Sequence, residues 1–120
     1  MSSKIVTTPQ FTRLAKKLAK KYRSLKTDLR DLSEELLENP HMGTLIGENL
    51  YKVRFAIKSK GRGKSGGGRL ITFVDLLIEE KEEITHIVLL TIYDKSAKAT
   101  LKDADIQKAL QRYQKFKEEE

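Results

Sequence analysis

At 120 residues, with 38% hydrophobic side chains and no cysteine, the chain has material for one modest core and for neither disulfide staples nor thiolate metal ligands. The net charge of +7 is uneven: residues 1–60 carry thirteen Lys and Arg against six Asp and Glu, while residues 61–120 carry eleven of each. No apolar run approaches the roughly 20 residues that span a bilayer, and the N-terminal MSSKIVTTP lacks a signal-peptide core, so a soluble, cytoplasmic, single-domain protein over 1–120 is expected.

KIVTT (Lys4–Thr8) is a short strand at best. Thr8-Pro9 then offers an N-cap followed by proline at the first helical position. Phe11, Leu14, Ala15, Leu18, Ala19 and Tyr22 recur at helical spacing, with the lysines of AKKLAKKY on the other face. Ser24 is placed to cap a second helix, in which Leu25, Leu29, Leu32 and Leu36 form a narrow apolar seam ended by Asn39-Pro40. Two amphipathic helices joined by almost nothing make an αα-hairpin.

After a loop around Gly43–Asn49 the period changes to two. Tyr51, Val53, Phe55 and Ile57 alternate with Lys52, Arg54, Ala56 and Lys58, which predicts a half-buried strand with a basic open face. Leu70–Ile78 and Ile84–Tyr93 are apolar at nearly every residue and predict central strands covered on both sides, joined by a solvated acidic turn, EEKEE. Thr100-x-x-Asp103 resembles a capping box with Asp for Glu, and Ile106, Ala109, Leu110 and Tyr113 then give a last amphipathic helix. Strand, helix, helix, three consecutive strands and helix make an α+β fold with an antiparallel sheet.

The window Lys52–Arg69 holds Lys52, Arg54, Lys58, Lys60, Arg62, Lys64 and Arg69 with no acid, a density equal to the whole charge excess and suited to polyanions such as nucleic acid. GRGKSG at Gly61–Gly66 satisfies G-x-G-x-x-G, but a strand follows it where a dinucleotide site needs a helix. GKS at Gly63–Ser65 fails as a phosphate loop because Lys58 stands where glycine is required. The glycines do allow a phosphate backbone to approach closely. The residues alone leave open a merely mobile loop, or a solvated loop that keeps a sheet edge from aggregating.

His41 sits beside a helix end and His86 on the Ile84/Val88/Leu90 face of a buried strand, so both read as structural. No paired histidines or clustered carboxylates suggest a metal centre, and no cofactor is indicated. Strict alternation sets Thr91, Tyr93 and Lys95 on one face of the last strand, and Arg54 and Lys58 on one face of the first long strand, with Arg69 opening the strand between. A bulge would reassign them. If the faces agree, Lys, Arg and Tyr converge on a groove able to hold a phosphate and stabilise a dianionic transition state. Such a groove would either cleave RNA by directing the ribose 2′-OH at its own phosphate, or bind phosphate without turnover.

TPQFTRLAKKLAKKYRSLKTDLRDL, NPHMGTLIGENLYKVRFAIKSKGRGKSGGGRLITF and LLTIYDKS together resemble the RelE/ParE superfamily of bacterial toxins, most closely its HigB-like RelE branch, from about Lys4 to Leu110. The resemblance implies a small twisted antiparallel sheet with an N-terminal helical hairpin, a C-terminal helix and an active site on the open face. It implies a type II toxin that cuts mRNA in the ribosomal A site without metal, leaving a cyclic phosphate and a 5′-hydroxyl. It also implies a cognate antitoxin, often with a helix-turn-helix DNA-binding domain. On this resemblance the catalytic positions are Lys58, Lys60, Arg69, Tyr93 and Lys95. Arg69 would clamp phosphate, Tyr93 stack or move a proton, and Lys58 or Lys60 act as acid or base. Lys52, Arg54, Arg62 and Lys64 would hold RNA, Lys64 and Lys95 would stabilise charge, and Asp94 departs from the expected charge pattern. Alternatives are a ParE-like gyrase inhibitor and a non-catalytic RNA- or ribosome-binding module.

Overall fold

The computed structural model describes residues 2–98 and 101–119. The described residues form strand β1 (Ser2–Thr7), helices α1 (Pro9–Lys21) and α2 (Leu25–Glu38), strands β2 (Thr44–Gly47) and β3 (Leu50–Phe55), a 3-10 turn (Lys58–Lys60), strands β4 (Gly68–Glu79) and β5 (Glu82–Asp94), and helix α3 (Asp103–Glu118). The fold is α+β, with the five strands in the order β1-β5-β4-β3-β2. β2 to β5 run antiparallel to their neighbours, and β1 joins β5 in parallel, so the sheet is mixed. The helical hairpin between β1 and the rest of the sheet supplies the long connection that a non-hairpin strand partner needs. Among the described residues no helix is long and apolar enough to cross a membrane.

Both faces of the sheet are covered in part. On the hairpin face, Phe11, Leu25, Leu32 and Leu36 pack against Val53, Phe55, Leu70, Ile87, Leu89 and Ile92. On the opposite face, Ile106, Ala109 and Tyr113 of α3 pack against Leu50, Ile71, Val88 and Leu90. Leu25, Leu36, Ile71, Ile87 and Val88 are wholly enclosed; burying each such side chain contributes about 1.5–3 kcal/mol before the entropy of ordering it.

Thr8 caps α1 as its sequence position suggests: the Phe11 N–H donates to Thr8 Oγ1 at 3.2 Å. The same hydroxyl donates to Leu89 O at 2.9 Å, which fixes the start of the helix to β5. Ser24 departs from expectation. It makes no capping bond to α2; its hydroxyl donates to Asp28 at 2.7 Å and accepts the Ser59 N–H at 2.8 Å, because the 3-10 turn lies close against the helix. The Thr100 part of the proposed capping box lies outside the described residues, and Lys102 at the start of α3 has no side-chain cap.

Three further expectations are corrected. The supposed loop 43–49 contains the short edge strand β2, whose residues are all exposed and so carry no apolar alternation to betray it. β3 stops at Phe55, and Lys58 belongs to the 3-10 turn instead of the strand. The β4–β5 ribbon is covered at the Gly68 end only: Leu76 and Ile78 near its tip are exposed.

Gly67 and Gly68 mark where the chain passes closest to β3. A Cβ on Gly67 would lie 2.2 Å from the Phe55 carbonyl oxygen, and one on Gly68 would lie 2.3 Å from the Phe55 ring. Gly67→Ala is therefore expected to destabilise the protein by about 2–3 kcal/mol, read as a lower denaturation midpoint in urea at unchanged slope. An unchanged midpoint would show that β4 enters the sheet less tightly than described.

Candidate functional site: a cationic rung at one end of the sheet

The register of the three central strands places Arg54 of β3 opposite Arg69 of β4, and Arg69 opposite Tyr93 of β5. This rung lies on the α3 face, where the next rung on the same face is Lys52–Ile71–Thr91. One residue in β5 makes the arrangement possible. Thr91 pairs with Ile71 but Leu89 pairs with Thr72, so Leu90 is an extra residue, a β-bulge. Strict alternation would put Tyr93 on the face opposite His86, Val88 and Leu90. The bulge brings all of them to the α3 face and turns Asp94 toward the helical hairpin.

Arg69 is buried and its guanidinium organises the glycine loop. Nη1 donates to Lys64 O and to Gly68 O, each at 2.9 Å, and Nη2 donates to Ser65 O at 3.2 Å. Of its five N–H donors, two form no hydrogen bond among the described residues and remain available to a ligand. Burial, followed by the neighbouring Arg54 guanidinium, holds the Arg69 pKa below its ordinary value, with Tyr93 opposing. Two cations in adjacent strands with no acid in their rung are an unrelieved repulsion that an oxyanion between them would reverse.

Tyr93 is buried as well. Burial pushes its hydroxyl pKa up, against the pull of Arg69 and of a backbone hydrogen bond from Leu101. A phenol in that setting stays protonated near neutral pH and can donate. Beyond Tyr93, between the start of α1 and α3, Thr91, Tyr93, Lys98, Leu101, Asp105 and Lys108 border a groove of about 380 Å³. Lys98, Asp105 and Lys108 were not singled out from sequence. The signal present was the spacing of Lys108 and Arg112, four apart on one face of α3. A larger cavity, about 700 Å³, lies elsewhere, between α3 and the β1 edge.

The other residues singled out from sequence do not all join this rung. Lys60 is turned into the protein, its amine 2.7 Å from Asp94 Oδ1 and 2.9 Å from Ser96 Oγ and 5.4 Å from the Tyr22 ring centre. Asp94 also accepts from the Tyr22 hydroxyl and from the Ser96 backbone N–H. A buried ammonium held by a carboxylate is a poor candidate for acid or base; Lys60 fastens the loop to β5. Lys58 sits on the hairpin side, with its backbone N–H bonded to Asp28 and its exposed amine 3.6 Å from Asp31, away from the Arg54–Arg69–Tyr93 face. Arg62 and Lys64 are exposed on the loop, Lys52 is half-buried on the rung face, and Lys95 is half-buried just past β5 with its N–H bonded to Gly67 O at 3.0 Å. The loop is thus secured at both ends: Lys60 holds its start, and Arg69 and Lys95 hold its finish.

No family profile and no curated protein matches the sequence. Among solved structures, the chain is similar to a double arginine-to-alanine mutant of the E. coli toxin RelE in the free state. That match has 17% sequence identity and a TM-score of 0.50, and covers 82% of this chain and 90% of the other. At this identity the likeness concerns the fold, which is RelE-like.

Proposed function

We propose that this protein is the toxin of a type II toxin–antitoxin pair and cleaves mRNA on the ribosome, in the A site, in the manner of the HigB-like branch. The observation that carries the reading is the Arg54–Arg69–Tyr93 rung beside a secured, acid-free basic loop. The RelE-like fold supports it, since the similar structure is by its description that of a toxin.

In this reading a backbone phosphate of mRNA lies across the rung. The ribose 2′-oxygen attacks the adjacent phosphorus, and its proton passes to the unprotonated amine of a lysine at the rim, Lys95 or Lys64. The P–O5′ bond breaks, and the leaving 5′-oxygen takes a proton from the Tyr93 hydroxyl, leaving a 2′,3′-cyclic phosphate and a 5′-hydroxyl. Arg54 and the two spare donors of Arg69 stabilise the dianionic phosphorane, the step in which fixed cations act most strongly. Lys52, Arg62 and Lys64 hold the flanking phosphates through the salt-sensitive attraction common to nucleic-acid interfaces. The partner that silences the site is a cognate antitoxin, with a helix-turn-helix domain as the expected DNA-binding part.

The test is a cell-free translation reaction with the purified protein, with mRNA 5′ ends mapped by primer extension beside naked mRNA. New ends are expected with ribosomes and not in naked mRNA. Intact message in both tubes, from protein shown to be folded, would remove the nuclease reading.

A further inference from the structure

The end of β4 remote from the rung has an unfilled strand position. β3 pairs with β4 from Gly68 to Phe73 only, and the Val74 N–H is taken by Asn49 O at 2.9 Å in the turn before β3. From Asp75 to Glu79, β4 continues paired to β5 on one side, and among the described residues no strand lies on the other. Backbone groups of a strand point the same way every second residue, so the N–H and C=O of Leu76 and Ile78 face this open side as those of Val74 do. Those two residues also have exposed side chains, 59% and 75% accessible, on the face opposite α3. Asp75 and Glu79 alternate with them on the other face, where Asp75 accepts from Lys117 Nζ at 2.7 Å and from the Tyr113 hydroxyl at 3.1 Å, and Glu79, half exposed, lies 3.3 Å from His86 Nε2.

We propose that this edge is a docking site for an extended segment of a partner polypeptide whose side chains alternate between apolar and cationic. Added beside β4, such a strand would receive main-chain hydrogen bonds from Leu76 and Ile78. Its apolar residues would cover those two side chains, and its Lys or Arg residues would stand beside Asp75 and Glu79. The acidic tip, Glu80, Glu82 and Glu83 around Lys81, extends the same complementarity in a chain whose net charge is +7.

A second copy of the chain is the competing occupant, and charge opposes it. Antiparallel pairing of two β4 edges centred on Leu77 sets Asp75 against Glu79 twice, and like charges directly opposite destabilise a strand pair. The edge lies at the far end of β4 from Arg69, so its occupation is separate from any RNA chemistry.

The experiment titrates ¹⁵N-labelled full-length protein with an end-blocked octapeptide of alternating Val and Lys, beside one of alternating Val and Glu, and follows amide exchange. The Val-Lys peptide is expected to slow exchange at Leu76 and Ile78 by about tenfold or more, and the Val-Glu peptide to leave it unchanged. Ile78→Pro removes an outward donor while sparing the ladder to β5, and should weaken Val-Lys binding by about tenfold. Glu79→Lys, which alters no backbone donor, should shift preference toward Val-Glu. Unchanged exchange at saturation, equal binding of both peptides, or wild-type affinity in both variants would overturn the proposal. A concentration-dependent dimer of the free protein that Ile78→Pro abolishes would overturn it too, by showing that the edge pairs with itself.

Discussion

Arg69→Ala is expected to lower ribosome-dependent mRNA cleavage by about 10²–10³-fold, the usual loss when a positioned transition-state donor is removed. Its guanidinium has two duties: it faces Arg54 and Tyr93 across the rung, and it binds the carbonyls of Lys64, Ser65 and Gly68. Arg54→Ala separates them. Arg54 is exposed and donates to none of the loop carbonyls that Arg69 binds, so its loss should reduce cleavage by about tenfold or more with thermal stability nearly unchanged. Tyr93→Phe keeps the ring and removes the proton donor, so kcat should fall with little change in KM. If single-turnover cleavage by all three variants matches the wild type, the rung is not where the phosphate reacts.

Asp94→Asn is expected to cost about 3–5 kcal/mol, more than any surface change. It leaves the Lys60 ammonium, with its side chain 7% exposed, without its counter-charge, and weakens the bond from Tyr22. Burial alone would push the Asp94 pKa up. Lys60, then Tyr22 and Ser96, override it, and the folded-state value ends far below the ordinary carboxylate range. A depressed folded pKa contributes stability that is complete above the unfolded value near 3.9 and is lost as pH falls toward the folded one. The wild-type protein should therefore lose this contribution only below about pH 4, while Asp94→Asn lacks it at every pH. Denaturant titrations between pH 2 and 7 measure both. The double variant Lys60→Met/Asp94→Leu should recover much of the loss, because an apolar pair leaves no buried charge behind. A double variant no better than Asp94→Asn would mean that the cost lies in packing and not in the ion pair.

The helical hairpin was readable because its leucines keep helical spacing over two helices and proline stands at both boundaries. β2 was not, since an edge strand with both faces wet has no pattern to read. The residue types of the site were also visible: an acid-free basic window and a late tyrosine. What sequence lacked was the partner of each base. Lys60 and Lys58 look alike in a run of alternating lysines, yet one meets a carboxylate 34 residues away at 2.7 Å and the other stays in solvent near α2. Lys98 and Lys108 were missed for the same reason, because only the path of the chain after β5 brings α3 beside Tyr93.

The extra residue at Leu90 makes the side on which the site appears a matter of counting. Losing that single codon would take out the bulge and leave the rest of the pairing as it is: Leu89 would keep Thr72, Thr91 would keep Ile71, and Tyr93 would still stand opposite Arg69. Counting by strict alternation along the present chain, by contrast, sets Tyr93 under the helical hairpin and Asp94 among the arginines. A chain one residue shorter with even alternation and this one with its extra residue would thus present the same cationic rung, and a residue-by-residue comparison made without a gap at Leu90 would place their tyrosines on opposite faces.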